Sequence, residues 1–165
     1  MSKQCTRCGV TKSYDEFSQS NATKKDGYNS WCKQCCRDVS KKHSETASGV
    51  YSGIKGRMKY YKTKPVSISR EDFIEWYESL PRKCAYCGIN EEDVVKLDDP
   101  YNSLNERLTI DCIDNYLGYI NGNMVLACRR CNNMKSDLLT FEQMRYIGQS
   151  FLKPLWEKQL GKKIV

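Results

Sequence analysis

Four C-x-x-C pairs organise this chain. Cys5-Thr6-Arg7-Cys8 and Cys32-Lys33-Gln34-Cys35 lie in the first 40 residues, and Cys84-Ala85-Tyr86-Cys87 and Cys128-Arg129-Arg130-Cys131 lie further on. One such pair brings two thiolates together on a tight turn, and two pairs complete a tetrahedral sulfur shell for Zn²⁺. Metal binding of this kind supplies folding free energy to segments too small to bury a core of their own. The expected ligands of a first zinc are Cys5, Cys8, Cys32 and Cys35, with Cys36 as the alternative fourth ligand. Those of a second are Cys84, Cys87, Cys128 and Cys131.

The ten cysteines read as metal ligands rather than disulfides, because nothing points to export. Met1-Ser2-Lys3-Gln4-Cys5 contains no apolar core of a secretory signal. No apolar run is long enough to cross a bilayer, so no membrane partner is expected. The net charge is +7, and it is unevenly spread. Residues 1–64 carry 14 Lys/Arg against 5 Asp/Glu, residues 65–104 carry 4 against 9, and residues 105–165 carry 9 against 6. A basic first third combined with zinc motifs points to nucleic acid.

Four segments follow from this pattern. Residues 1–40 form a four-cysteine zinc module with a turn at Lys24-Lys25-Asp26-Gly27. Residues 41–81 form a basic helical connector. In its first helix Val50, Ile54, Met58 and Tyr61 make an apolar stripe, and Lys55, Arg57, Lys59, Lys62 and Lys64 crowd the remainder as candidate DNA contacts. Pro65 stops that helix, and Ser69 to Asp72 caps a second one that buries Phe73, Trp76, Tyr77 and Leu80. Residues 82–140 are the second metal module. Residues 141–165 are a helix capped by Thr140 and Gln143, with a stripe of Met144, Ile147, Phe151 and Leu155, and a frayed tail from Lys158 to Val165. Pro154 is expected to kink or end this helix.

Between the second pair of clusters, Leu108 to Ile113 reads as a strand, Asn115 to Gly122 as a turn region, and Met124 to Ala127 as another strand. Asn132 to Leu138 reads as the start of a helix. Strand, loop, strand and helix would bring Asp111 opposite Asn132. Two side-chain oxygens there suit a hard divalent cation such as Mg²⁺, for which Mn²⁺ or Ca²⁺ could stand in when binding.

Cys84-x-x-Cys87, Thr109-Ile110-Asp111-Cys112-Ile113-Asp114, Gly118-Tyr119, Asn123 and Cys128-x-x-Cys131-Asn132-x-x-Lys135 together resemble the HNH, or ββα-metal, endonucleases. A rare-cutting restriction branch of that family is also similar in its N-terminal cysteine cluster and in a Phe-x-x-Trp-Tyr helix, here Phe73 to Tyr77. The resemblance implies a small α+β, zinc-stapled fold: a ββα-metal core, an N-terminal four-cysteine module and flanking helices. It implies structural zinc at both clusters, a catalytic metal on Asp111 and Asn132, and a loop-fixing role for Asn123. It further implies double-stranded DNA as the partner, a homodimer cutting one strand per copy, and a cytoplasmic location in a bacterial or phage-infected cell.

The chain departs from that family at the residue after Asp111. The general-base histidine expected there is Cys112, whose thiol is soft and reads as buried and inert rather than nucleophilic. The single histidine, His43, lies outside the motif. Either His43 reaches in, a different group acts, or the chain is inactive. Tyr119 is the candidate replacement, as a base, a water-orienting group or a direct nucleophile. An ordinary phenol ionises near pH 10 and needs a metal or a cation to act at neutral pH. Lys135, Arg129 and Arg130 are candidate phosphate clamps. The enzymatic readings are a restriction-like, a homing or a nicking endonuclease. The non-enzymatic reading is a zinc DNA-binding protein with a decayed core.

Overall fold

The computed structural model describes residues 1–20, 26–61, 64–99 and 107–164, together covering most of the 165-residue chain. Lys62, and the Lys24-Lys25 half of the expected turn, lie outside the described residues. The chain divides into two compact units, Met1–Gly53 and Ile54–Val165.

The first unit opens with an antiparallel ribbon of β1 (Ser2–Gln4) and β2 (Thr11–Ser13). A short 3₁₀ turn at Tyr14–Glu16 leads into β3 (Phe17–Gln19), which pairs antiparallel with β4 (Tyr28–Cys32). Helix α1 (Lys33–Glu45) follows directly. The core consists of Cys5, Phe17, Cys32 and Cys35 with Tyr28 packed against it. Such a core is too small to hold a fold unaided, which is why the cysteines matter.

Helix α2 (Ala47–Tyr61) crosses the division between the units. The expected stripe is present in Ile54, which is buried, and in Val50 and Met58, which are half-buried; Lys55, Arg57 and Lys59 are exposed. In the second unit α3 (Arg70–Ser79) starts at Ser69, whose hydroxyl accepts from the Asp72 N–H at 3.0 Å. It buries Phe73 and Tyr77, while Trp76 and Leu80 remain half-buried. After the first C-x-x-C of this unit comes one turn, α4 (Glu91–Val94). Strands β5 (Thr109–Cys112) and β6 (Met124–Ala127) pair antiparallel, with Asp111 opposite Val125.

Helix α5 spans Arg129–Lys135, three residues earlier than the sequence suggests. Cys128 is its N-cap and Cys131 falls in its first turn, so the second C-x-x-C is a helix start rather than a separate knuckle. Ser136 ends the helix with φ of +47°.

The last helix runs as α6 (Phe141–Ile147), a π-turn at Gly148–Leu152, and α7 (Lys153–Leu160). Thr140 and Gln143 form the expected capping box. The π-turn corrects the expected stripe. Beyond Met144 the buried residues are Gly148, Leu152 and Trp156, each one position later than Ile147, Phe151 and Leu155, and Phe151 is 64% exposed. The wider turn inserts a residue and rotates the following face. Pro154 stands in the first turn of α7, directly after the π-turn. The tail is anchored rather than frayed. Lys162 pairs with the buried Asp93 at 2.7 Å, the Ile164 N–H donates to Glu157, and the Ile164 side chain is buried. No helix is long and apolar enough to cross a membrane among the described residues.

The two modules repeat one local plan. In the first, Cys5 N–H donates to Val10 O, Gly9 N–H returns to Cys5 O, and Thr6 N–H donates to Ser30 O. In the second, Cys84 N–H donates to Ile89 O, Gly88 N–H returns to Cys84 O, and Ala85 N–H donates to Leu126 O. Each knuckle thus pairs with the strand that leads into its partner cysteine, β4 ending at Cys32 and β6 just before Cys128. Each partner pair, Cys32 with Cys35 and Cys128 with Cys131, occupies the N-cap and first turn of a helix.

Candidate metal and active site

In both modules the four sulfurs lie within 4.8 Å of one another. Tetrahedral zinc with Zn–S bonds of ~2.3 Å sets sulfurs about 3.8 Å apart. Cys5 Sγ and Cys35 Sγ are 3.8 Å apart, as are Cys87 Sγ and Cys128 Sγ. No cysteine forms a disulfide. Burial pushes the Cys5 thiol up, but N–H groups of Cys8, Cys32 and Arg7 outweigh it and bring it to about 6, while burial and its neighbouring thiols raise Cys35 to about 12, as close thiols without a cation compete for one charge. The donor sets therefore fit zinc. Cys35, not Cys36, completes the first cluster. Cys36 follows Cys35 as Asn132 follows Cys131, which puts it on the helix outside the sulfur shell.

On β5, residues two apart share a face, so Thr109 and Asp111 point the same way. Helix α5 lies along that face. Asn132 Nδ2 donates to Thr109 Oγ1 at 3.0 Å, and Thr109 Oγ1 donates to Ala127 O at 3.0 Å. That bond engages the amide nitrogen of Asn132 rather than its Oδ1. One turn on, Lys135 Nζ lies 3.6 Å from Asp111 Oδ2.

Asp111 itself is buried. Its Oδ1 accepts from the Cys112 N–H at 2.9 Å, and its Oδ2 accepts from Tyr86 Oη at 2.6 Å. Burial raises the Asp111 carboxyl above its ordinary range, while Tyr86, Lys135 and the Cys112 N–H pull it back. The contacts place Lys135 beside Asp111 and Asn132 two residues along the strand, at Thr109; a carboxylate and an amide oxygen are the donor types that suit a hard cation. First-module positions equivalent to Asn132 and Lys135 hold Cys36 and Val39, so that module repeats the plan without the amide and the ammonium.

Asn123 pins the loop between the strands. Its Oδ1 accepts from the Asp114 N–H at 2.8 Å, and its Nδ2 donates to Asp114 O at 2.8 Å and Gly118 O at 2.7 Å. Gly118 takes a φ of +69°, and a Cβ there would meet Pro65 O at 2.5 Å. The bare backbone lets Tyr119 N–H donate to Pro65 O at 2.9 Å, and Tyr119 O accept from Ser67 N–H at 3.1 Å. Tyr119 is thereby buried within electrostatic reach of Cys112, Arg57 and Asp111. Burial pushes its phenol up to about 12, against the pull of Arg57. Cys112 is also buried, and burial lifts its thiol to about 11.

Several candidate DNA contacts change character. Arg130 is ion-paired with the buried Asp99 at 2.8 Å, which ties it to the fold. Lys135 is fully buried and so belongs to the site interior rather than to a DNA-facing surface. It shares Asn115 Oδ1 with Lys64, at 3.2 and 2.8 Å. Arg129 is half-buried, and His43 is exposed on α1 in the first unit. Sequence reasoning gave no site role to Tyr86, Thr109 or Asn115. Only the knuckle position of Tyr86, between two ligands, marked it in advance.

No protein-family model matches the chain, and no curated protein matches it at significance. Among solved structures it is similar to the rare-cutting HNH restriction endonuclease PacI, at a TM-score of 0.57 over 94% of this chain and 96% of that one, with 23% identity. The chain folds like PacI. Strands β5 and β6 with α5 are therefore the ββα core of an HNH fold, and the likeness to PacI extends through both four-cysteine modules.

Proposed function

We propose that this chain is a metal-dependent, sequence-specific endonuclease of double-stranded DNA that acts as a restriction-like homodimer. The observation that carries this reading is the register of α5 on β5, with Asn132 beside Thr109 and Lys135 beside Asp111. The PacI-like fold supports the same reaction class.

Asp111 and Asn132 would hold the catalytic cation, Mg²⁺ by preference. That cation, when bound, supplies Lewis acidity toward a phosphodiester and its attacking water. Tyr119 would serve as the proton acceptor or water-orienting group; burial raises its phenol as it raises the Cys112 thiol, but an oxygen base suits a hard metal better than a soft thiol. The Arg57 guanidinium favours the Tyr119 phenolate. Lys135 and Lys64, gathered on Asn115, offer positive charge to the phosphate as negative charge builds on it. Lys55, Arg57 and Lys59 on the basic helix contact the DNA backbone, as does Lys62, with Arg129 beside the second cluster. Two structural zinc ions hold the modules. Two copies related by a twofold axis each cut one strand.

A non-enzymatic reading, a zinc DNA-binding protein with a decayed core, rests on the absence of any histidine from Ile54 onward. Plasmid incubated with Mg²⁺ or Mn²⁺ separates the two. Linear product from the wild type supports the restriction-like dimer, and open-circular product alone supports a nicking enzyme. No cleavage of any DNA supplied supports the binder.

A further inference from the structure

Tyr86 sits between two expected zinc ligands, Cys84 and Cys87, and its side chain is 0% exposed. Its hydroxyl donates to Asp111 Oδ2 at 2.6 Å. A buried tyrosine hydroxyl requires a partner, and this one takes the carboxylate expected to hold the catalytic metal.

The residue is held from several sides. Its backbone belongs to the knuckle, tied to β6 through Ala85 N–H to Leu126 O at 2.8 Å. Its carbonyl accepts from Gln149 Nε2 at 2.6 Å. Its ring packs on Phe141, with centroids 5.3 Å apart. Gly148 lies so close that a Cβ there would come within 2.7 Å of the Tyr86 carbonyl. Gly148 and Gln149 open the π-turn, a local widening of the kind often found at functional positions.

We propose that Tyr86 is a positioning residue of the candidate metal site, carrying the placement of the zinc knuckle and of the π-turn to the Asp111 carboxylate. This rests on the reading of Asp111 as a metal ligand. The local bond from Cys112 N–H to Oδ1 leaves the far oxygen unrestrained by the strand. The Tyr86 bond to Oδ2 fixes it from a group 25 residues away in sequence. Groups that orient a ligand in this way account for roughly 10–100-fold in metal affinity.

Mn²⁺ binding to the full-length, zinc-loaded protein, read by electron paramagnetic resonance, tests the proposal without DNA. Tyr86→Phe keeps the ring and removes only the hydroxyl. It is expected to retain two zinc ions and the wild-type melting profile to within a few degrees, with Mn²⁺ bound roughly 10–100-fold more weakly. Gln149→Ala leaves the buried phenol in place and frees only its carbonyl, and is expected to weaken Mn²⁺ several-fold. Wild-type Mn²⁺ affinity in folded Tyr86→Phe overturns the proposal while leaving Asp111 as a ligand. Should Tyr86→Phe lose zinc, wild-type affinity in Gln149→Ala overturns it instead. Equal Mn²⁺ binding by wild type and Asp111→Ala, or none by the wild type, overturns the metal-site reading and the positioning role together.

Discussion

Lys135 Nζ stands 3.6 Å from Asp111 Oδ2, and the lysine is fully buried. An ammonium enclosed without an anion would be costly, so the carboxylate and the lysine stabilise each other. Lys135→Met keeps the volume and leaves a buried carboxylate with only its Tyr86 and Cys112 hydrogen bonds. The expected loss is roughly 2 kcal/mol of stability, read by denaturant unfolding. DNA cleavage is expected to fall by roughly 10²–10³.

With Tyr119 as the proposed proton acceptor, cleavage is expected to depend on pH. Below its elevated value of about 12, the phenolate fraction grows about tenfold per pH unit. Cleavage under subsaturating DNA is therefore expected to climb between about pH 7 and 9 in the wild type and to stay flat, at a lower level, in Tyr119→Phe. A climb of the same slope in Tyr119→Phe removes the phenol from the mechanism and leaves the metal site standing.

The two clusters differ in access. Cys8 is exposed, whereas all four cysteines of the second cluster are buried. A chelator is expected to remove one zinc per chain quickly and the other slowly, followed by metal analysis over time. Cys36→Ala is expected to retain two zinc ions and Cys35→Ala one. A single zinc in Cys36→Ala contradicts the ligand assignment.

Lys162 and Lys96 hold the Asp93 carboxyl below the ordinary carboxylate range through hydrogen bonds and charge. A lowered carboxyl contributes stability above its unfolded value, and that contribution disappears as pH falls through the folded value. Lys162→Met is expected to lose on the order of 1 kcal/mol at neutral pH, a small figure because the lysine is half exposed. The difference from wild type is expected to vanish in strong acid, as urea unfolding at several pH values can check.

Much of the site was readable in the order of residues. The C-x-x-C pairs name their ligands because thiolates three positions apart can share one metal, and the alternation around Asp111 marks a strand. What sequence missed lies in contacts between distant segments. Nothing local says that Lys135 turns inward, since a lysine after a cysteine knuckle is usually solvated. Nothing local says that Arg130 spends its charge on Asp99. The last helix misled by one position because a helical pattern assumes a constant turn. The π-turn at Gly148 breaks that assumption where the helix meets the Tyr86 backbone. Cys36 was ambiguous by spacing alone until the helix start at Lys33 fixed which thiol faces the cluster.

The central claim is that Asp111 holds the metal that drives phosphodiester cleavage. Its most direct test is single-turnover cleavage of a duplex that the wild type cuts, titrated with Mn²⁺, comparing wild type with Asp111→Ala at equal zinc content. The wild type is expected to cut with a saturating dependence on Mn²⁺, and Asp111→Ala to be slower by roughly a thousandfold or more at any Mn²⁺ concentration. Cleavage by Asp111→Ala at the wild-type rate, with the same Mn²⁺ dependence, would contradict the account.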